Sequence, residues 1–561
     1  MALMNGGEAV VAALRAAGVD HVFGLLGSST MEMYDALYDC GEIRYIGVRD
    51  ERAGTHMADA FGRIAGRPAV VLAGQAGPGA ANLTTGLAQA LLAYSPVVAI
   101  TGLASSEHLG RGAFQEIDQQ ALFAPIAKRT ITVPKAERLP EFVKEAVRLA
   151  NSGRRGPVVL NIPRDMFAAQ IEAEVQKADD YAVATEGTLN PAALARVAKL
   201  VEGAASPVIM AGAGVKWGRG SAAVLRLAEA LELPVTASAG HADVIPNDHP
   251  MFAGMIGPRG NEAASRLTRE ADLVLALGTR LGFNTTFYTN DHLNADAKIV
   301  QVDISPDAIG RYFPVAEGII GDAGAVAAAL ADQVRKPDPL PWAARNEIFK
   351  EERAALLAER EAAGASELTP LAPGRVFAEL RQALPRDAIV TLDAGTMCLQ
   401  ATDQLRYFAP PALLSPLDFG LVGFSYAAGI GAKCAAPERP VVTLMGDGGF
   451  AMTMAEIATA VQSAIPTVAV VLDNGCWGAE KAYQRDFYNG RYIGADIVGP
   501  DYDKVAELCG AKGWHVTEPG GLADALSEAL AAGEPAVVHV KVDPNAMISF
   551  RRDSFKHRAA Q

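Results

Sequence analysis

The chain has 561 residues, of which half are apolar and only 6% are aromatic. This length is too great for one hydrophobic core and predicts about three domains of ordinary size. The formal net charge is -14 and the sequence pI is about 5.2. Such an acidic protein is a poor candidate for binding nucleic acid or an anionic membrane surface.

The cysteines and the apolar runs indicate where the protein works. The five cysteines are scattered and show no metal-ligand spacing, which favours a reduced compartment. No apolar run reaches the roughly 18 to 20 residues that a membrane span needs. Residues 1–18 have a helical rather than a secretory pattern. We therefore expect a cytoplasmic protein.

Residues 1–175 alternate short apolar runs with helical patterns, such as those at 51–65 and 138–152. The runs that predict strands are 22–24, 43–48, 69–73, 97–101 and 157–162. Continuous apolar strands between helices indicate a parallel sheet covered on both faces. The charged stretch 172–187 predicts a linker.

Two further segments, 188–333 and 370–561, have the same alternation. A proline-rich linker at 336–341 and a charged helix at 343–363 separate them. The predicted fold is α/β, with three doubly wound parallel-sheet domains. The turn Gly212-Ala213-Gly214 is a weak dinucleotide signal, because it lacks a third glycine at the usual place.

Two polar residues follow β-like runs in the last segment. Asp447 stands in Gly446-Asp447-Gly448-Gly449 after the run 440–445, and Asn474 follows the run 467–472. In a parallel sheet both would lie at the carboxyl edge, where α/β proteins place ligands. Carboxylate and amide oxygens suit Mg²⁺, and glycines allow backbone N–H groups to approach a diphosphate. Taken singly each motif is an ordinary turn, but the pair predicts a metal-bridged diphosphate site.

This paired motif resembles the thiamine-diphosphate motif of the acetolactate synthase and pyruvate decarboxylase superfamily. The resemblance covers nearly the whole chain and implies a pyrimidine-binding, a central and a diphosphate-binding domain. It implies Asp447, Asn474 and the main-chain oxygen of Cys476 as Mg²⁺ ligands. It also implies that further residues of the last domain bind the cofactor, namely Gly395, Thr396, Met397, Val422, Gly446, Gly448, Gly449, Trp477 and Gly478.

The first segment resembles the part of the family that activates the cofactor. In Asp50-Glu51-Arg52-Ala53-Gly54, Glu51 follows a strand and opens a helix. Alone, it would be an ordinary helix-start carboxylate, but the resemblance implies a catalytic contact with the aminopyrimidine ring. Gln115 is the second implied catalytic residue. The same resemblance places cofactor-binding residues at Gly27, Gly77, Gly79 and Asn82.

Several segments, among them 474–481, 112–116 and 277–281, resemble sulfoacetaldehyde acetyltransferases more narrowly. This implies thiamine-diphosphate-dependent C–C bond cleavage with acyl transfer, in which an anionic substrate and phosphate yield acetyl phosphate and sulfite. Anionic substrates need cationic or donor-rich walls. The implied substrate residues are Ser28, Phe114, Lys481, Arg491 and Arg552.

Alternatives remain open at this point. Cys476 and Asp473 depart from the expected pattern, so an acetolactate synthase-like carboligase or a 2-hydroxyacyl-CoA lyase stays possible. A non-catalytic cofactor-binding subunit is a further alternative, against which Glu51, Asp447 and Asn474 argue together. No motif decides whether the central domain binds FAD, ADP or nothing. The family pairs the first and last domains between chains, which implies a homodimer or homotetramer.

Overall fold

The computed structural model describes residues 2–175 and 189–558. They form three α/β units, each built on a six-stranded parallel sheet. This confirms the predicted fold class. None of the helices among the described residues combines the length and apolarity needed to cross a membrane.

The first unit carries the strands and helices up to Ala173. Its strands are β1 (Ala2–Asn5), β2 (His21–Leu25), β3 (Arg44–Gly47), β4 (Ala69–Ala73), β5 (Val97–Leu103), β6 (Arg129–Thr132), β7 (Val158–Pro163) and β8 (Gln170–Ala173). Its helices are α1 (Gly6–Ala16), α2 (Met31–Asp39), α3 (Glu51–Ala65), α4 (Pro78–Asn82), α5 (Thr84–Leu92), α6 (Gln119–Phe123), α7 (Leu139–Asn151) and α8 (Arg164–Ala168).

The central unit follows, and a long helix leads out of it. Its strands are β9 (Pro207–Ala211), β10 (Val235–Ala237), β11 (Phe252–Met255), β12 (Leu273–Leu277), β13 (Lys298–Asp303) and β14 (Glu317–Ile320). The helices are α9 (Pro191–Glu202), α10 (Ala213–Trp217), α11 (Ser221–Leu231), α12 (Glu262–Arg269), α13 (Phe283–Thr286), α14 (Ala323–Gln333) and α15 (Ala343–Gly364). The last of these is the charged helix expected at 343–363.

The third unit completes the chain. Its strands are β15 (Ile389–Leu392), β16 (Leu413–Leu414), β17 (Val441–Gly446), β18 (Val468–Asp473), β19 (Lys512–Val516) and β20 (Ala536–Lys541). Its helices are α16 (Pro373–Ala383), α17 (Thr396–Gln404), α18 (Ser425–Ala435), α19 (Asp447–Ala451), α20 (Glu456–Gln462), α21 (Gly478–Phe487), α22 (Tyr502–Leu508) and α23 (Gly521–Ala532).

The order of strands relates the first and third units. The first sheet runs β3-β2-β4-β5-β7-β6 and the third β16-β15-β17-β18-β20-β19, which is the same pattern of crossovers. The central sheet runs β11-β10-β9-β12-β13-β14, the order of dinucleotide-binding folds. In such sheets the ligand crevice opens where the strand order reverses, which is beside β2, β9 and β15 in the three sheets.

The amino terminus corrects the prediction of a helix over residues 1–18. Residues 2–5 form β1, which pairs antiparallel with β8, and the helix begins only at Gly6. Asn5 caps the N-terminus of this helix. Its side chain accepts from the Glu8 N–H at 2.9 Å, and the Glu8 side chain accepts from the Asn5 N–H at 2.6 Å. Strand β8 also occupies the start of the expected linker at 172–187, whose residues 176–187 lie outside the described residues.

Short edge strands were among the other elements missing from the sequence prediction. Strands β6, β11 and β14 each have four residues and each lies at or next to the edge of its sheet. An edge strand of this length carries too few apolar residues to show a period of its own.

Helices α3 and α18 pack the first unit against the third. A methyl group at Gly431 would lie 2.0 Å from the carbonyl oxygen of Met57, so the two helix backbones touch. Glycine at this position is what allows the close approach.

A buried ion pair joins the central unit to the third unit. The Lys216 ammonium lies 2.7 Å from Asp243 Oδ1, with side chains only 1% and 0% exposed. Oδ2 of Asp243 accepts the Ala412 and Leu413 N–H groups at 2.8 and 2.9 Å. Lys216 also donates to the Leu413 carbonyl oxygen and lies over the Trp217 ring. The pair therefore holds the start of β16 against the central unit.

Replacing Lys216 with methionine tests the contribution of this buried ion pair to stability. Lys216→Met leaves the Asp243 carboxylate buried without its cation, and breaking a buried pair in this way costs about 3–5 kcal/mol. We expect a lower midpoint of urea unfolding, followed by tryptophan fluorescence. Lys504→Met is the matched control, because Lys504 is exposed and pairs with Glu507 on the same helix. An equal midpoint for both variants would contradict the role of Lys216.

Candidate active site

Three acidic side chains meet at the carboxyl edge of the third sheet. Asp393 follows β15, Asp447 opens α19 directly after β17, and Asp473 ends β18. These strands are neighbours, with Leu392 paired to Leu444 and Gly446 to Leu472. Parallel pairing therefore brings residues 80 positions apart in the chain to one edge. The strand patterns had predicted this position for Asp447 and for Asn474, which follows Asp473.

Glycines shape a cradle around Asp447. A methyl group at Gly448 would lie 2.6 Å from the Trp477 ring, and one at Gly449 would lie 2.4 Å from Asp393 Oδ2. At Gly478 it would lie 2.9 Å from the Asn474 side-chain nitrogen. Only glycines fit here, and the three of them line a cavity in which their backbone can approach a diphosphate closely.

A polar side chain without a hydrogen-bond partner faces the same space. The Thr396 hydroxyl is buried at the start of α17 and has no partner. Buried polar groups are normally hydrogen-bonded, so an orphan at a cavity wall marks a place for a ligand. A helix start also favours an anion through its free N–H groups. The cradle thus fits the diphosphate of the expected cofactor.

The carboxylates differ in charge state. Burial and, after it, the neighbouring Asp473 carboxylate raise the pKa of Asp447 to about 7. Burial also acts on Asp473, but His539 and Lys541 outweigh it and hold the pKa of Asp473 below its ordinary value. Lys541 Nζ lies 2.5 Å from Asp473 Oδ2. A divalent cation beside Asp447 and Asn474 would offset this crowding of negative charge, and their oxygens are suitable ligands.

A histidine chain behind Asp473 is a feature that the sequence analysis missed. His539 is fully buried, with Nε2 2.9 Å from Asp473 and Nδ1 3.2 Å from Asp503. His515 Nδ1 lies 3.0 Å from the same Asp503 oxygen. The contact with His539 and the ion pair with Lys541 stabilise the carboxylate of Asp473. The sequence signal was weak, because His539 sits inside an apolar strand run.

One large cavity, of about 1590 Å³, adjoins the cradle. Its lining contains every cofactor or metal residue that was predicted in the last domain. These residues are Gly395, Thr396, Met397, Val422, Gly446, Asp447, Gly448, Gly449, Asn474, Cys476, Trp477 and Gly478. They come from three strand ends and the helices that follow, so the structure brings this half of the predicted site together.

The predicted residues of the first unit form a second cluster. Glu51 opens α3 and is only 3% exposed. Its Oε2 accepts a hydrogen bond from the Asn82 side chain at 2.9 Å, and a methyl group at Gly79 would lie 2.8 Å from its Oε1. Burial raises the pKa of Glu51, and the Asn82 bond opposes that shift. The result is a buried carboxyl group with a raised pKa.

Gln115 lies beside this cluster in a strained loop. It has a positive φ of 64°, and its carbonyl oxygen lies 2.3 Å from where a Gly77 methyl group would be. Phe114 is 88% exposed, so its ring packs on little of the single chain. Ser28 is near the switch point and donates to the Gln75 side chain at 3.3 Å. Gly27 closely approaches Gly74, since a methyl group there would lie 2.3 Å from the Gly74 carbonyl carbon.

The two clusters are separate within one chain. Glu51, Asn82, Gly77 and Gln115 are not among the described residues that line the cavity beside Asp447. Among the described residues, the Glu51 carboxyl group is therefore not part of the wall of the cavity beside the cradle.

The predicted basic residues divide into different environments. Lys481 pairs with Asp496 at 2.5 Å. Arg491 is exposed, and neither residue is among the described lining of the cavity. The side chain of Arg552 lies outside the described residues. Its neighbour Arg551 does line the cavity, and so does Arg259, which the sequence analysis did not consider.

The charge state of Asp393 gives a testable pH dependence. Burial raises the pKa of Asp393 to about 7 from 3.8, although it accepts N–H bonds from Gly423, Phe424 and Ala394. Between pH 4 and 7 the folded state therefore binds more protons than the unfolded state, so this group's contribution to stability falls as pH rises. Asp393→Asn removes the titrating group.

The measurement compares thermal midpoints of the cofactor-free wild type and Asp393→Asn across that range. The thermal midpoint of the wild type should fall relative to that of Asp393→Asn as pH rises from about 4 to about 7. Asp447 titrates equally in both proteins and cancels. A wild-type midpoint that rises with pH relative to that of the variant would contradict the raised pKa of Asp393.

Comparison with known proteins identifies the family to which a chain with this site belongs. Three family models match, described as the thiamine pyrophosphate enzyme N-terminal TPP binding domain, central domain and C-terminal TPP binding domain, over residues 4–122, 194–330 and 393–540. A sulfoacetaldehyde acetyltransferase from Alcaligenes xylosoxydans xylosoxydans is 36% identical, over 98% of this chain and 95% of its own.

Acetolactate synthases match to a similar extent. A probable acetolactate synthase large subunit from Methanocaldococcus jannaschii is 34% identical, over 96% of this chain and 92% of its own. The acetolactate synthase isozyme 2 large subunit of Escherichia coli K12 is 32% identical, over 96% of each chain. With its cradle, its buried glutamate and all three family domains, this chain is an enzyme of the thiamine pyrophosphate enzyme family.

Proposed function

We propose that the protein is a thiamine-diphosphate- and Mg²⁺-dependent acyltransferase that converts sulfoacetaldehyde and phosphate into acetyl phosphate and sulfite. The observation that carries this proposal is a cavity that joins the diphosphate cradle to arginine side chains, Arg259 and Arg551. Both proposed substrates are anions, and guanidinium groups suit their oxygens. The similarity to sulfoacetaldehyde acetyltransferases over 98% of the chain supports the same substrates.

The chemistry of this reaction corrects one expectation from the sequence. Both carbons of sulfoacetaldehyde remain together in the acetyl group, so the bond that breaks is C–S and not C–C. A phosphate oxygen forms the new bond to the former aldehyde carbon, and sulfite leaves with the electron pair of the C–S bond. The aldehyde C–H loses its proton, and the former CH2 carbon gains a proton to become the methyl group. No external oxidant or reductant is needed.

When bound, thiamine diphosphate would supply a nucleophilic carbon and an electron sink for the aldehyde carbon. The cradle of Gly448 and Gly449 would hold its diphosphate through main-chain N–H groups. Asp447, Asn474 and the Cys476 carbonyl oxygen would hold Mg²⁺ against the diphosphate. Val422, whose Cγ1 lies 3.4 Å from the Gly449 methyl position, stands beside this cradle.

Glu51 would serve as the acid–base group toward the aminopyrimidine ring. Burial raises the pKa of Glu51, which suits a group that donates a proton to a ring nitrogen and takes it back. Asn82 fixes the orientation of the carboxyl group through the bond to Oε2. Gly79 leaves Oε1 room that any larger residue would fill.

Two chains would complete each site. In one chain Glu51 lies away from the cavity that holds Asp447, whereas the cofactor needs both ends recognised at once. A second copy that presents its Glu51 cluster to this cavity would close the site, as a homodimer or homotetramer. The exposed ring of Phe114 beside the Glu51 cluster is then available for contact across the two chains.

An acetolactate synthase-like carboligase is the second candidate. The similarity to acetolactate synthase large subunits is almost as high and spans 96% of the chain. Pyruvate is also an anion, so the arginines alone do not exclude it. The products distinguish the candidates.

Glu51→Gln tests the acid–base role. The variant keeps the size of the side chain and can still accept from Asn82, but it cannot exchange a proton. We expect the turnover rate to fall about 10²- to 10⁴-fold, while calorimetry shows nearly unchanged thiamine diphosphate affinity. Exchange of the C2 proton of the bound cofactor, followed by NMR, should slow in parallel.

The control is Glu141→Gln, which changes an exposed glutamate of α7 bound to Arg138. It should leave both rates unchanged. C2 exchange at the wild-type rate in Glu51→Gln would remove Glu51 from the mechanism.

The products test the reaction itself. Consumption of sulfoacetaldehyde should depend on phosphate, and sulfite and acetyl phosphate should appear in equal amounts. The arginine-lined wall has to hold phosphate in place of water, because water would give acetate instead. Condensation of pyruvate without any release of sulfite from sulfoacetaldehyde would move the protein to the second candidate.

A further inference from the structure

We infer that Arg280 is a positioning residue for the cofactor, because its ion pair with Asp418 fixes the segment that carries Val422. This connecting segment, residues 415–424, joins β16 to α18. The inference rests on the proposed function, in which Val422 stands beside the diphosphate cradle. Four residues of the segment line the same cavity as the cradle, namely Asp418, Phe419, Gly420 and Val422.

The carboxyl-terminal end of the connecting segment is fixed to the cradle. The N–H groups of Gly423 and Phe424 donate to the Asp393 carboxylate at 2.9 and 3.2 Å. A methyl group at Gly449 would overlap the same carboxylate, so Asp393 adjoins both the segment and the cradle. Val422 directly precedes this anchor, and a displacement of the chain before it would move its side chain relative to the cradle.

A tight turn forms the middle of the connecting segment. The N–H groups of Phe419 and Gly420 both donate to the Pro416 carbonyl oxygen, at 3.0 and 2.7 Å. Gly420 has a φ of 74°, a conformation that glycine adopts without steric cost. Because these bonds close the turn, the position of Asp418 within it determines where the chain continues toward the cradle.

Arg280 holds this turn from the central unit. Its guanidinium group donates from Nη2 to Asp418 Oδ1 and from Nη1 to the Tyr94 hydroxyl, each at 2.6 Å. It also lies 5.1 Å from the centroid of the Tyr94 ring. Tyr94 belongs to the first unit, so this one side chain contacts all three units. A planar guanidinium group with several donors fixes the direction of both bonds.

The other bonds that hold the turn end on main-chain oxygens. Asn284 donates to the Leu417 carbonyl oxygen at 3.1 Å, and Arg63 donates to that of Ser415 at 3.3 Å. Asp418 is the only charged residue of the connecting segment, and its side chain is 28% exposed. Removing the cation from a partly buried carboxylate is costly. We therefore expect the turn to shift when Arg280 is replaced, even though the main-chain bonds remain possible.

Amide hydrogen exchange of the cofactor-free protein, followed by mass spectrometry, tests the positioning directly. Peptides that span 416–424 should exchange about tenfold faster in Arg280→Met than in the wild type, the scale of a lost hydrogen bond between charged groups. Peptides from β17 should exchange at the wild-type rate. Because neither cofactor nor substrate is present, this result is independent of the proposed reaction.

Calorimetry with thiamine diphosphate in the presence of Mg²⁺ tests the consequence for the cofactor. Arg280→Met and Asp418→Asn should each weaken cofactor binding about tenfold, although neither side chain belongs to the cradle. Since both act through one contact, the double variant should bind as the weaker single variant does, within about twofold. Arg280→Lys should bind more tightly than Arg280→Met, because it keeps a cation for Asp418.

Arg196→Met is the matched control. It removes a guanidinium group of the central unit that binds Glu317 at 2.7 and 2.8 Å. Arg196 is not among the described residues that line the cavity. This variant should keep the wild-type cofactor affinity and the wild-type exchange over 416–424. If Arg280→Met does not fold, Asp418→Asn and Arg280→Lys carry the same measurements.

The outcomes separate the positioning role from the proposed reaction. Wild-type exchange over 416–424 in Arg280→Met would overturn the role of Arg280. Wild-type cofactor affinity in both single variants, additive losses in the double variant, or equal affinities of Arg280→Lys and Arg280→Met would also overturn it. Non-additive losses of cofactor affinity in a protein that releases no sulfite from sulfoacetaldehyde would uphold the role of Arg280 and reject the reaction.

Discussion

The site depends on one constraint: three carboxylates must share the carboxyl edge of the third sheet. Strands β15, β17 and β18 pair in parallel, so their carboxyl ends lie side by side. The three aspartates at or after these ends therefore lie at the same edge. Each carboxylate is then stabilised differently. Asp393 accepts three backbone N–H groups, Asp473 binds Lys541 and His539, and Asp447 keeps a raised pKa. Of the three, Asp447 is the one expected to bind Mg²⁺, together with Asn474.

The same sheet topology serves two purposes in this protein. The first and third sheets have the same strand order, yet one presents glycines and a buried glutamate where the other presents aspartates. An edge rich in acidic groups suits a metal and a diphosphate. An edge with a single buried carboxyl group suits proton exchange with a neutral ring. The difference lies in the residues after the strands and not in the architecture.

The central unit contributes to the site through its position. Its sheet has the order of dinucleotide-binding folds, but its cavity wall supplies arginines and aromatic side chains to the space beside the cradle. The buried pair of Lys216 and Asp243 fixes this unit against β16, and Asn284 reaches the third unit through Leu417. Packing between units therefore determines the wall that faces a substrate.

The sequence by itself determined the three parallel-sheet units, the cradle and the family. Strand ends and glycines are local features: apolar runs stop at Asp447 and Asn474, and the helix predicted to start at Glu51 does so. In a parallel sheet, residues that follow strands lie at the carboxyl edge, so the positions of the strand ends were enough to predict where Asp447 and Asn474 lie.

Only the tertiary structure decided which distant side chains meet. Nothing in the apolar run around His539 indicates that it contacts Asp473. Nothing around Arg259 indicates that its guanidinium lies near the ring of Phe550, 291 positions later. Strand β1 likewise forms because residues 170–173 pair with it. The separation of Glu51 from the cavity of its own chain was also decided at this level. Contacts of this kind depend on how units pack, and short-range sequence patterns carry no record of that packing.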